Sequence, residues 1–206
     1  SNPNNPMGTW MRGDKIVSLL EKLPDDCLLI LDEAYAEFAP NEAKVPILVD
    51  DPRLIRFRTF SKAYGIAGAR IGYGLGSREL IGEFDKIRNH FGNSLLSQVA
   101  AIAAIKDQKY LSDVVKKISL GREKIYQIAK LNGLTAIPSA TNFVAIDCGK
   151  DGNFATQVMN GLLEAKIFVR KPAVAPLDRT IRVTVGRDDD IELFKNVFPQ
   201  VLKASQ

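Results

Sequence analysis

Lys62 stands in a stretch of small residues that is unusual for a lysine. It lies in TFSKAYGIAGARIGYG, residues 59–74, just before a run rich in glycine and alanine, and Arg70 follows it by eight positions. Small residues permit a tight turn that another group can approach closely. Lysine usually keeps its flexible stem at the surface. Two interpretations are therefore open at this point: an exposed lysine in a glycine-rich loop, or the amine of a functional site.

Acidic and basic groups follow two predicted strands. Asp32 comes directly after the apolar run CLLIL at 27–31, with Tyr35 three residues on, and LIRFRTF at 54–60 leads towards Lys62. Both runs predict strands, the first buried on both faces of a parallel sheet. Ligands of such sheets bind outside the carboxyl ends of the strands. The alternatives are a solvated strand end for Asp32 and a packed aromatic ring for Tyr35.

An amine, a carboxylate and a guanidinium in this order suit one kind of cofactor. Pyridoxal phosphate (PLP) carries a carbonyl that reacts with Lys62, a pyridine nitrogen that Asp32 can hold protonated, and a phosphate that Arg70 can bind. The residue pattern therefore indicates PLP chemistry.

The remaining periodicity predicts an α/β protein. Helices are expected at 14–23, from Ser77 to 91, at 94–105 (buried all round) and at 110–131, and a third strand at 69–76. After Gly133 a small α/β unit is expected, with strands FVAID, IFVR and TIRVTV and helices at 154–163 and 188–202. We predict two domains: residues 1–106 as the C-terminal part of a PLP-binding large domain with a mainly parallel sheet, and 107–206 as an interdomain helix with a small C-terminal domain.

Composition excludes several classes of protein. The 206 residues are 46% hydrophobic, and 28 basic residues are spread among 24 acidic ones, so no basic arm or stripe indicates nucleic acid. Neither a membrane-length apolar run nor a signal-peptide pattern is present in this sequence. Cys27 and Cys148 lie in apolar contexts typical of reduced core thiols, and with a single histidine no metal site is expected. These features favour a cytoplasmic protein.

Three motifs in order resemble a known family. SNPNNPMG, LDEAYAEF and TFSKAYGIAGARIGYG are similar to motifs of fold-type I PLP-dependent aminotransferases, and especially of the histidinol-phosphate aminotransferase branch. SATNFVAID, IFVR and IRVTVG resemble its C-terminal domain. The resemblance covers nearly the whole chain, whereas Met7 and the segment RNHFGNSLLSQ depart from the usual pattern.

The resemblance implies a role for each candidate residue. Lys62 becomes the Schiff-base lysine, Asp32 the buried carboxylate that partners the pyridinium nitrogen, and Tyr35 and Asn5 the donors to the ring's 3-oxygen. Arg182 and Arg170 become substrate-binding residues for an anionic group, and Arg182 lies on the strand face opposite Ile181. The implied phosphate contacts are Thr59, Ser61 and Arg70.

The function implied is transfer of an amino group between an anionic amino acid or amino phosphate, similar to histidinol phosphate, and a 2-oxo acid. A PLP-dependent decarboxylase of the threonine-phosphate type and a non-catalytic aminotransferase-like effector domain are the alternatives. The resemblance also implies a homodimer with small-molecule substrates and no nucleic-acid or membrane partner.

The abrupt start at SNPNNP raises one further expectation. In the family this motif lies in the middle of the large domain, after a glycine-containing phosphate loop and a ring that stacks on PLP. We therefore expect the chain to be a fragment that binds PLP weakly, catalyses little and exposes apolar surface through which it can associate.

Overall fold

A computed structural model describes residues 1–46, 48 and 50–206. The chain divides into two compact units. Unit 1 comprises residues 1–3 and 10–115, and unit 2 comprises residues 4–9 and 116–206. The helix α4 (Gln108–Leu131) therefore begins in unit 1 and ends in unit 2.

Unit 1 is built on a sheet whose strands lie in the order β1 (Leu29–Asp32), β2 (Leu54–Thr59), β3 (Gly72–Leu75). Strands β1 and β2 pair in parallel, with Asp32 opposite Phe57. Their carboxyl ends therefore meet at one edge of the sheet. Helix α1 (Gly13–Lys22) packs its apolar face against the sheet through Ile16 and Leu20.

Strand β3 returns antiparallel to β2, with Thr59 opposite Gly72. The intervening residues 60–71 hold only a short 3-10 turn, Ala67–Ala69, whereas a parallel return needs a crossover element, usually a helix. The residues after β2 therefore fold back over the end of the sheet and stay beside it.

The helices after β3 are α2 (Arg78–Phe84) and α3 (Leu95–Lys106). Two expectations fail here. Helix α2 ends at Phe84 instead of continuing to 91, and α3 is not buried all round, since Ala101 is its buried residue and its apolar side chains are largely exposed. Strand β1 differs in the same way, because Ile30 is 60% exposed. Apolar residues around most of the circumference of a helix do not by themselves show that other elements of the chain pack against every side of it.

Unit 2 contains an antiparallel sheet in the order β4 (Thr135–Ile137), β5 (Phe143–Asp147), β6 (Thr180–Thr184). Helices α5 (Gly152–Glu164) and α6 (Asp188–Ala204) contact each other, and α5 also contacts β6. One core joins α4, β5, α5, β6 and α6. The α/β class is therefore confirmed in both units.

Two details of unit 2 differ from expectation. Strand β4 was not foreseen, because Thr135–Ile137 is short and its pattern is weak. The segment IFVR forms only an isolated bridge, in which Arg170 pairs with Arg182.

Candidate active site

The cavity at the carboxyl ends of β1 and β2 has a volume of about 450 Å³. Five of the predicted site residues line it, together with Ala34, Phe57, Arg58 and Ala67. The five are Asp32, Thr59, Ser61, Lys62 and Arg70. They converge because the parallel strands end together and because the chain after β2 turns back over that edge.

Lys62 is exposed and lies close to Tyr35. Its Nζ is 5.3 Å from the centroid of the Tyr35 ring, and the ring itself is buried. A cation over an aromatic face at an exposed site gains about 0.5–1 kcal/mol. The ring therefore holds the amine at the cavity wall without forming a hydrogen bond that would occupy it.

Asp32 is exposed, whereas we expected a buried carboxylate. Its Oδ1 accepts a hydrogen bond of 2.9 Å from the backbone N–H of Ala34, and its own carbonyl accepts one of 2.9 Å from Asn2. The first bond is an Asx-type turn that fixes the carboxylate at the end of β1. One face of this carboxylate is therefore held and the group remains accessible from the cavity.

Thr59, Ser61 and Arg70 offer donors of the kind an anion needs. The Thr59 hydroxyl accepts a hydrogen bond of 3.0 Å from the backbone N–H of Ser61, so its own proton can be donated elsewhere. Arg70 adopts the left-handed conformation, with φ 49°, and its guanidinium donates a 3.0 Å bond to the carbonyl of Ala67. Positive φ is uncommon for a residue with a side chain, and such strain clusters at functional sites.

The other predicted residues, Asn5, Arg170 and Arg182, belong to unit 2. Arg182 Nη1 donates a hydrogen bond of 2.5 Å to Asn5 Oδ1, and the guanidinium lies over the Phe143 ring, 4.6 Å from its centroid. The Asn5 carbonyl oxygen is therefore engaged, which directs its amide N–H groups away from Arg182.

Arg170 and Arg182 lie directly opposite each other. Their main chains exchange two hydrogen bonds, of 3.2 Å from the N–H of Arg170 and 2.6 Å from the N–H of Arg182. Residues paired in this way carry their side chains on the same face. The backbone thus places two cations side by side in unit 2.

A buried ion cluster beside the cavity was missed by the sequence argument. Glu33, next to Asp32, is 3% exposed and Arg56 is 2% exposed. The Arg56 fork donates to both Glu33 oxygens, at 2.7 and 2.8 Å, and Arg58 Nε adds a third bond at 3.1 Å. The signal was present in the sequence LIRFRT, where alternation places Arg56 and Arg58 on one face of β2. Strand β2 pairs with β1, and β1 ends at Asp32, the residue before Glu33.

Glu37 is a second buried carboxyl in this region. Both of its oxygens are buried, and neither has a hydrogen-bond partner in the part of the chain that the structure describes. Burial raises the pKa of Glu37, and the nearby Arg58 lowers it by less. The carboxyl therefore tends to hold its proton to higher pH than an exposed glutamate does.

No group of three or more histidine, cysteine, aspartate or glutamate side chains suited to a metal ion occurs within residues 1–46, 48 and 50–206.

Among the described residues, no helix combines the length and the apolar character that crossing a membrane requires.

Comparison with known proteins gives a consistent picture. The family model "Aminotransferase class I and II" matches residues 1–195. A histidinol-phosphate aminotransferase of Geobacillus sp. (strain WCH70) is 40% identical across all of this chain, which corresponds to 56% of that relative. The chain thus spans about half the length of the curated relatives it matches.

Solved structures resemble the fold over the same extent. The histidinol-phosphate aminotransferase of Sinorhizobium meliloti, determined in complex with pyridoxal-5'-phosphate, is 49% identical with a TM-score of 0.97, over 100% of this chain and 56% of that one. The L-threonine-O-3-phosphate decarboxylase of Porphyromonas gingivalis is 25% identical with a TM-score of 0.83, over 98% of this chain and 63% of that one.

Proposed function

Because this chain belongs to the aminotransferase class I and II family, we propose that the protein is a PLP-dependent aminotransferase. It moves an amino group between an anionic amino acid or amino phosphate, similar to histidinol phosphate, and a 2-oxo acid. The observation that carries this proposal is the cavity in which Lys62, Asp32 and Arg70 converge. Relatives named histidinol-phosphate aminotransferase support the substrate class.

The residues that line the cavity fit PLP by their chemistry. They supply one amine, one carboxylate at a strand end, two hydroxyls and two guanidinium groups, which match the carbonyl, the pyridine nitrogen and the phosphate of that group. When bound, PLP supplies an electron sink for the bond-breaking at the substrate Cα. By the family resemblance, Tyr35 and Asn5 donate to its 3-oxygen.

The chain's own groups then have distinct tasks. Lys62 Nζ would be the point of covalent attachment and, once released, would act as general base and acid that moves the proton between the substrate Cα and the C4′ atom of PLP. Asp32 keeps the proton on the pyridine nitrogen, since a carboxylate beside that nitrogen favours its charged form. Thr59, Ser61 and Arg70 bind the phosphate.

Arg170 and Arg182 bind the anionic end of the substrate. A guanidinium offers parallel N–H donors that suit a carboxylate or a phosphate. We expect Arg182→Lys to raise KM about tenfold for anionic substrates, because lysine keeps the charge but loses the fork. An unchanged KM for every anionic substrate would show that Arg182 does not contact the substrate.

Chemical trapping tests the assignment of Lys62. PLP should give a yellow species that borohydride fixes to Lys62, as located by peptide mapping. Lys62→Ala should abolish the label, whereas Lys22→Ala, which removes an exposed lysine of α1, should leave it intact. A label on another lysine in the wild-type chain would overturn the proposal.

Turnover tests the role of Asp32. Asp32→Asn should retain bound PLP and lose turnover by orders of magnitude, because an amide does not hold the ring nitrogen protonated. The exposed Asp26→Asn serves as the control. Analysis of the products separates the two reactions that share these residues, since decarboxylation releases CO₂ and transamination yields a 2-oxo acid.

We propose two domains, 1–106 and 107–206, a cytoplasmic location and a homodimer. The exposed apolar side chains of α3, such as Leu96, Val99 and Ile102, support association with a second copy. Sedimentation analysis should show a dimer that Leu96→Glu weakens. Leu131→Glu, at an exposed apolar position near the end of α4, is the matched control.

A further inference from the structure

Arg58 lies between a buried carboxylate and the cavity. Its Nε donates a 3.1 Å hydrogen bond to Glu33, while the residue also lines the cavity that contains Lys62 and Arg70. Its side chain is 26% exposed. Arg58 is thus the one member of the buried ion cluster, among the described residues, that reaches this cavity.

The two arginines bound to Glu33 have different surroundings. Arg56 is enclosed, and besides Glu33 it donates to the carbonyls of Val45 at 3.2 Å and Pro46 at 2.9 Å. All of these partners lie inside unit 1, so Arg56 holds the interior together. Arg58 binds the same carboxylate but is partly exposed to the cavity, so its positive charge acts on a ligand bound there.

Arg58 stays charged in this setting. Burial lowers the pKa of its guanidinium, but the Glu33 carboxylate and the Tyr73 hydroxyl outweigh burial and raise it overall. Glu37 and Asp32 are further acidic groups near Arg58. Burial raises the pKa of Glu37, which reduces its negative charge, and Asp32 lines the same cavity as Arg58. Because Glu33 is already engaged by Arg56, the charge of Arg58 is not fully neutralised.

We propose that Arg58 is a positioning residue for anionic ligands of this cavity: Glu33 holds its guanidinium in place, and its positive charge joins that of Arg70 in attracting a phosphate group. This inference rests on the proposed function, because the phosphate concerned is that of PLP. Arg58 thereby joins Thr59, Ser61 and Arg70 as a residue that interacts with this phosphate.

Paired ligands separate charge from structure. Pyridoxal has the same ring and carbonyl as PLP but no phosphate. Arg58→Gln should raise the Kd for PLP about tenfold, as expected when one unit charge is removed from the lining of a partly exposed site. It should change the Kd for pyridoxal less than about threefold, because pyridoxal carries no anionic group.

Three controls sharpen the test. Arg58→Lys keeps the charge and should bind PLP within about threefold of the wild type. Arg53→Gln removes an equal charge just before β2, where Arg53 is bound to Asp51 outside the cavity lining, and should leave both ligands unaffected. The thermal unfolding midpoint of each variant, followed by circular dichroism, verifies that it is folded.

Each outcome decides a different claim. If Arg58→Gln weakens PLP and pyridoxal equally, or weakens neither, the inference is wrong. If borohydride fixes no PLP to Lys62 in the wild type, the proposed function fails, and inorganic phosphate then tests Arg58 alone, since its binding needs no covalent bond. Loss of phosphate binding in Arg58→Gln, with recovery in Arg58→Lys, supports the inference in that case, and absence of phosphate binding to the wild type overturns it.

Discussion

Strands β1 and β5 have similar apolar sequences and opposite fates. In β5 the residues Phe143 to Ile146 are all buried, because β5 is the central strand of its sheet and helices of unit 2 pack over it. In β1 the burial alternates, with Leu31 packed against α1 and Ile30 exposed on the other face. Unit 2 therefore buries its apolar residues in one continuous core, whereas unit 1 distributes them among smaller clusters and leaves part of them exposed.

The difference shows what an apolar run indicates. Such a run predicts a strand, and it predicts that both faces suit an apolar neighbour, but it does not say that a neighbour is present in the chain. Stability should therefore depend on different residues in the two units: on close packing in unit 2, and on a buried ion cluster in unit 1.

The largest effect is expected in the core of unit 2. Phe198 on α6 is 0% exposed and stacks on Phe194, with ring centroids 4.7 Å apart. Phe198→Ala should lower the free energy of unfolding by about 3–5 kcal/mol, because it leaves a cavity in a packed core. Urea unfolding followed by circular dichroism measures this.

The matched substitution in unit 1 is Ile87→Ala, at a side chain that is 82% exposed and lies outside the surface proposed for dimerisation. It should change stability by less than about 0.5 kcal/mol, since little contact is lost. A cost comparable to that of Phe198→Ala would show that Ile87 is covered in solution and would remove the contrast between the units.

A loss of stability at the lower end of the range given for Phe198→Ala is expected at the ion cluster of unit 1. Arg56→Met leaves Glu33 with Arg58 as its remaining cationic partner and should cost about 3 kcal/mol, since a buried charge loses most of its compensation. Trp10 belongs to unit 1 and is the single tryptophan of the chain, so its fluorescence follows this unit. If the midpoint of that signal is unchanged, the cluster does not stabilise unit 1.

Glu37 should have an effect of the opposite sign. Because burial raises its pKa in the folded state, the protonated form is favoured there, and stability is lost as pH rises through that folded pKa. Glu37→Gln should therefore stabilise the protein by about 1 kcal/mol at pH 7. The gain should disappear near pH 4, where the wild-type carboxyl is protonated and therefore neutral, as the glutamine amide is.

The exposed Glu42→Gln is the control for this prediction, since Glu42 lies in the same region of the chain. A Glu37→Gln gain that persists at pH 4 would argue against ionisation as its cause.

The last expected difference between the units is in the reactivity of their cysteines. Burial raises the pKa of the Cys148 thiol in unit 2 to about 11. At pH 8 an alkylating reagent should therefore modify the partly exposed Cys27 first and Cys148 only when unit 2 unfolds. Mass spectrometry of the labelled peptides measures both rates, and equal rates in the native protein would contradict the close packing described for unit 2.

Local sequence predicted much of this fold because its signals are local. The helices at 13–22 and 188–204 and the strand FVAID follow directly from periodicity and turn residues. The convergence of Asp32 and Lys62 followed from one topological rule about strand ends. The exposure of α3 and the Glu33 cluster did not follow, because each depends on what lies across space from a residue, which periodicity does not report.

The side-by-side arrangement of Arg170 and Arg182 has a consequence for the protein without its ligands. The two arginines are paired across main-chain hydrogen bonds and carry like charges on one face, and like charges on directly opposite residues are destabilising, so the pair opposes folding of unit 2. Counterions reduce this effect, so multivalent anions such as sulfate should raise the melting temperature of unit 2 more than chloride does at equal ionic strength. Anion binding at this pair and folding of unit 2 therefore favour each other, so a higher anion concentration increases the folded fraction of unit 2.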